Sequence, residues 1–93
     1  MDITELLNFS ISNNASDLHL SAGMPPMIRV DGKMRQLDVG ALEHKDVHSL
    51  IYDIMNDVQR KTYEEFYEAD FSFEITSALF LQTKIFQLAV NTM

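Results

Sequence analysis

The stretch ASDLHLSAGMPPMIRVDGKMRQL, Ala15 to Leu37, decides the fold. Asp17 to Ser21 alternates, with Leu18 and Leu20 on one face and Asp17, His19 and Ser21 on the other, the period of a half-buried strand. Gly23 and Pro25-Pro26 forbid a helix and turn the chain. Ile28 and Val30 then resume the inward face, opposite Met27, Arg29 and Asp31, and Asp31-Gly32 closes a hairpin. A two-residue loop would pair Val30 with Lys33 and Ile28 with Arg35, setting charges on the apolar face. A three-residue loop pairs Val30 with Met34 and Ile28 with Gln36, and is the register expected here. It leaves Arg29 and Arg35 together on the outer face.

Helical patterns flank this hairpin. Asp2 followed by Glu5 fits a capping box, and Ile3, Leu6, Leu7 and Ile11 make one apolar stripe that Asn13-Asn14 ends. After a connector around Gly40, the positions Val47, Leu50, Ile51, Ile54 and Val58 recur at helical spacing. Asn56-Asp57 reads as a break and a fresh cap, so Val58 to Tyr67 is expected as a second, shorter helix with Tyr63, Phe66 and Tyr67 packing inward. Asp70 to Ile75 alternates again, with Phe71, Phe73 and Ile75 on one side of a strand. From Ala78 onward, SALFLQTKIFQLAV lacks turn residues, and its periodicity admits either a strand or a helix. The sum is a small α+β domain with helices covering one face of a sheet.

Composition narrows the function. A 93-residue chain forms one domain with a modest core. The absence of cysteine removes disulfides, thiolate nucleophiles and cysteine-based zinc sites, and fits a reducing cytoplasm. No apolar run is long enough to span a bilayer, and the acidic start MDITELLNF lacks the basic flank of a signal peptide. A net charge of −7 argues against nucleic acid as a partner. Nine acids against three bases lie between Glu43 and Glu74, a solvated helical face or a docking surface for a basic partner.

No stretch carries a reaction centre. His44 and His48 share a helix face, but Lys45 stands where the zinc-protease pattern needs Glu, and no third ligand is evident, so no metal is expected. Asp17, His19 and Ser21 contain the residue types of a catalytic triad, yet strand neighbours two apart stand side by side and do not relay. The glycines Gly23, Gly32 and Gly40 form no phosphate cradle. Glu64 and Glu65 diverge around a helix. Tyr63, Phe66, Tyr67, Phe71 and Phe73 read as core packing and not as the wall of a ligand cavity.

Taken in order, the first helix, SDLHLSAG-x-PP-x-x-RVDG, ALEHKDVHSLIYDIMND, QRKTYEEF and DFSFE closely resemble the N-terminal domain of the type IV pilus retraction ATPases, in the secretion ATPase family. The resemblance covers about residues 1–75. It implies a PAS-like antiparallel sheet with helices on one face, preceding a RecA-like ATPase domain. It further implies a hexameric ring, peripheral to the cytoplasmic side of the inner membrane at the pilus base, that drives pilus retraction and twitching motility. The family's catalytic parts belong to the ATPase domain. This chain is therefore expected to have no catalytic, cofactor or metal residues of its own, with ATP and Mg bound only where that domain is present. In such rings the N-terminal domain packs on the ATPase domain of the same or a neighbouring subunit, which makes Asp17, His19, Arg29 and Asp31 subunit-interface candidates.

Residues 76–93 depart from the family. Where relatives carry a strand of the type ARFRVN, this chain has Ala78-Leu79-Phe80-Leu81-Gln82. By family analogy Leu79 and Leu81 replace two arginines that face nucleotide phosphates, and leucine has no donor to offer them. The expectation is a divergent C-terminal segment, an altered or lost last strand, and, for a chain without its motor domain, self-association as a homodimer. The competing reading is a free-standing PAS-like sensor with a small ligand in its core, or a truncated vestigial product.

Overall fold

The computed structural model describes residues 2–77 and 82–92, side chains at 73, 75–77 and 82–84 excepted. Asp2 caps the first helix, its carboxylate accepting from the Glu5 backbone N–H at 2.9 Å, and α1 runs over Ile3–Ser12. Asn14, at φ 60°, turns the chain out of that helix. Three strands follow, β1 (Asp17–Ser21), β2 (Met27–Val30) and β3 (Lys33–Gln36). The connector after β3 is tied back over the Pro-Pro corner, Gly23 N–H donating to Leu42 O at 2.6 Å and Leu42 N–H to Met24 O at 2.9 Å. Helix α2 (His44–Ile51) runs into a short 3-10 turn at Tyr52–Ile54. Asn56 then caps α3 (Asp57–Phe66) through a reciprocal box with Gln59, at 2.8 and 3.0 Å. Two ten-residue strands, β4 (Glu68–Ser77) and β5 (Gln82–Asn91), complete the described fold.

The fold class is α+β, and the five strands form one sheet in the order β3-β2-β1-β5-β4. The sheet is mixed and not wholly antiparallel, because β5 runs parallel to β1 over Asp17–Ser21 and antiparallel to β4 along its whole length. Residues 76–93 thus contain the strand that holds the two halves of the sheet together. Phe86, Leu88 and Val90 point from β5 into the core beside Leu18, Leu20, Ile28, Val30 and Phe71. Leu6 of α1, Val47 and Ile51 of α2, Met55 just ahead of the α3 cap, and Tyr63 of α3 close that face. The end of β5 is anchored to α3. Thr92 N–H donates to Tyr67 O at 2.8 Å, and its hydroxyl lies 3.0 Å from the Tyr63 phenol.

Three further expectations are corrected. The hairpin loop has two residues, Asp31 and Gly32 at φ 51° and 78°, and pairs Val30 with Lys33 and Ile28 with Arg35. Positive φ at both central residues is the mirror-image turn whose twist matches the strands. The charges it places beyond Ile28 and Val30 are tolerated because β3 is an edge strand exposed at every residue. Val58 is 74% exposed, since the helical phase restarts at Asn56 and does not continue from Ile54. Phe66 and Tyr67 are also exposed, at the end of α3, where Tyr67 takes the left-handed cap at φ 57°. Only Tyr63 of that trio is buried. The side chains of Phe73 and Ile75 lie outside the described residues.

Candidate functional site

With the helices on one face, the other face of the sheet is open, and strand register sets its layout. One row crosses Ser72, Gln87, Asp17, Arg29 and Met34; the next crosses Asp70, Ala89, His19, Met27 and Gln36. Asp17 sits at the centre of the first row on β1, directly opposite Arg29 on β2. Its Oδ2 accepts from Arg29 Nε at 3.3 Å and contacts His19 Nε2, while the Ser16 hydroxyl donates to Oδ1.

These three neighbours cover the carboxylate so fully that Asp17 is 9% exposed although it stands on the open face. Burial by itself would push its pKa up. The hydrogen bonds from Ser16 and His19, with the charges of His19 and Arg29, outweigh that and hold it below the ordinary 3.8. Asp17 is therefore a fixed anion, and His19 and Arg29 are oriented by it while remaining part-exposed.

Of the four residues singled out from the sequence, the structure brings Asp17, His19 and Arg29 together. Asp31 is at the hairpin tip, in the turn itself. Ser21 lies on the same face but makes no side-chain hydrogen bond among the described residues, so the triad types assemble no relay. Sequence reasoning missed Ser16, although a hydroxyl beside an aspartate is a familiar local partner, and it missed Gln87 and Ala89 because β5 had not been assigned. The small Ala89, between His19 and Asp70, leaves a hollow of about 280 Å³ rimmed by Ser21, Glu68 and Asn91. Leu79 and Leu81 lie outside the described residues.

The two helix histidines are held by aromatic and backbone neighbours. His44 Nδ1 is 3.4 Å from Thr92 O and its ring meets Tyr67 edge-on, while His48 stacks on Tyr52 at 4.7 Å. Among the described residues no group of three metal-ligating side chains comes together. A larger cleft of about 450 Å³ lies between the start of α1 and α2, with Asp2, Asp46 and Asp53 at its rim. Asp2 and Asp46 are engaged there as helix caps.

Comparison with known proteins places this arrangement. No family model matches the sequence. Over 75 residues, 81% of the chain, it is 71% identical to the type IV pilus retraction ATPase PilT of Pseudomonas aeruginosa. The chain is a partial homologue of PilT. A twitching motility protein of Neisseria gonorrhoeae is 38% identical over 73 residues, and the type IV pilus ATPase PilU of P. aeruginosa 28% over 72. A crystal structure of the pilus retraction motor PilT with bound ADP superposes with a TM-score of 0.67 and 34% identity over 94% of the chain. The chain spans about a fifth of the length of the curated relatives it matches, and 24% of the PilT chain in that structure. No helix among the described residues is long and apolar enough to cross a membrane.

Proposed function

We propose that this chain acts as the non-catalytic N-terminal domain of a PilT-type retraction motor. In this reading the domain packs on a RecA-like ATPase domain of the same or a neighbouring subunit in a hexameric ring at the cytoplasmic base of the pilus. ATP and Mg bind the ATPase domain, and this domain moves as a rigid body when nucleotide exchanges. The identity of 71% to PilT over 75 residues carries the proposal. Its physical support is the open sheet face, where Arg29 and His19 are braced on a buried carboxylate and lose little rotamer freedom on meeting a partner.

The test is binding of the chain to the isolated ATPase domain of P. aeruginosa PilT by interferometry, with and without ADP. Saturable binding that weakens about tenfold in Arg29→Glu supports the reading, since reversing a charge at an interface costs of that order. No binding under either condition overturns it. A blot of the native cell with an antibody to the folded domain adds a second check. A band several times heavier than 10.7 kDa is expected for a domain joined to its motor.

A further inference from the structure

The sheet ends in two edges of different character. On β4 the exposed face carries Glu68, Asp70 and Glu74, so two copies meeting there would oppose like charges. The free edge of β3 carries Lys33 and Arg35, on the helix side of the sheet where they pair with Val30 and Ile28. Directly beyond β3, also on the helix side, lies a groove of about 300 Å³ with Phe9 of α1, Leu37 and Val39 as apolar walls and Glu5 and Asp38 as its carboxylates. Phe9 and Val39 are exposed there, and neither Glu5 nor Asp38 has an ion-pair partner among the described residues.

A basic strand and an acid-rimmed apolar groove, side by side on one patch, are complementary to each other. Within one molecule no ion pair among the described residues joins Lys33 or Arg35 to Glu5 or Asp38, so a second copy of the chain is the occupant that satisfies both.

We propose that the chain forms a two-fold dimer through β3, with Lys33 and Arg35 of each copy laid into the Glu5–Asp38 groove of the other. This goes beyond the ring reading and uses a different surface. The aliphatic stems of lysine and arginine cover apolar walls while their heads reach carboxylates at the rim. The ladder already runs one residue past β3, Leu37 N–H donating to Pro26 O at 2.9 Å, so the edge offered for pairing extends to the groove.

Charge sets the register. A two-fold axis through Met34 would put Lys33 opposite Arg35 of the second copy, and one through Arg35 would put the two guanidiniums together. An axis through Gln36 avoids both, bringing Arg35 of the second copy opposite Leu37 and its Lys33 beyond the ladder, where the chain turns at Asp38 with Val39 N–H donating to Leu37 O at 2.9 Å. The contact is isologous, as a closed dimer requires.

The test is sedimentation velocity of the 93-residue chain over a concentration series, at low and high salt, with two double variants. The wild type is expected to dimerise with rising concentration and to dissociate as salt screens the contacts. Lys33→Glu/Arg35→Glu and Glu5→Lys/Asp38→Lys are each expected to weaken the dimer at least about tenfold, because each makes the patch self-repelling. An equimolar mixture of the two variants restores a dimer, since each strand then meets a groove of opposite charge. That rescue also shows that both variants are folded. A wild-type monomer at every concentration would mean that the edge charges only guard against pairing, and would overturn the proposal. So would a dimer indifferent to both variants, or a mixture that stays monomeric.

Discussion

At the scale of single residues, Asp17 organises the open face of the sheet. The fold moves its pKa downward. A group held below its unfolded value stabilises the native state above that value, and the contribution fades as pH falls through the lowered pKa. Asp17→Asn keeps the shape but removes the charge that Ser16, His19 and Arg29 address. We expect it to lower stability at pH 7 by about 1–2 kcal/mol, since hydrogen bonds to charged groups are worth that much and the exposed Arg29 adds little more. The difference between variant and wild type should shrink as pH falls below 3.8, which urea titrations at stepped pH would reveal. A difference that is constant with pH would mean the carboxylate acts by shape alone. The strand alternation of Asp17 and His19 was legible in the sequence. The contact of Asp17 with Arg29 was not, because the β1–β2 register is set by the length of the Pro-Pro corner.

At the scale of elements, sequence reasoning succeeded where a side chain signals to its own backbone. Asp2 and Asn56 cap helices where their types and spacing say they should. It failed where one element borrowed its period from another. The stripe from Val47 to Ile54 ran on to Val58 on paper, but a 3-10 turn and a new cap intervene and rotate Val58 to solvent. The hairpin departs for a related reason: charges disfavour the two-residue turn only where an apolar face is covered, and β3 is exposed at every residue. The turn makes its own prediction. With φ positive at both positions, Asp31→Asn should stabilise by about 0.5 kcal/mol, because Asn tolerates the left-handed region better. Gly32→Ala should destabilise by about 1 kcal/mol through backbone strain alone. A Cβ there would meet nothing within 4 Å. Thermal melts of both variants decide it. A three-residue loop, with residue 31 at negative φ, would leave Asp31→Asn neutral or destabilising.

At the scale of the whole molecule, the outcome turns on β5. Its sequence, Gln82-Thr-Lys-Ile-Phe-Gln-Leu-Ala-Val-Asn91, has apolar residues on both faces at Ile85 and Phe86 and at Ala89 and Val90. Such a run has no single period, and only its place between β1 and β4 shows which residues turn inward. Phe86 and Leu88 are sealed in the core, while Ile85 stays largely exposed. Divergence from the family pattern did not remove the strand, because a central position asks for inward apolar side chains and backbone partners on both edges, and this segment supplies both. The molecule should therefore depend on β5 more than on any helix. Leu88→Ala is expected to cost about 2–5 kcal/mol, a large share of the total of about 5–15 kcal/mol that such a domain has. A chain ending at residue 81 would lose both ladders at once. That would leave β4 unpaired, β1 with a bare edge, and α3 without the Thr92 anchor. Such a chain should show no cooperative melt by circular dichroism and a collapsed amide spectrum, with Leu88→Ala still folded but melting early. A truncated chain that kept a cooperative transition would mean that β1 to β4 and the helices close a core without β5. The hairpin end of the sheet would then be the folding unit.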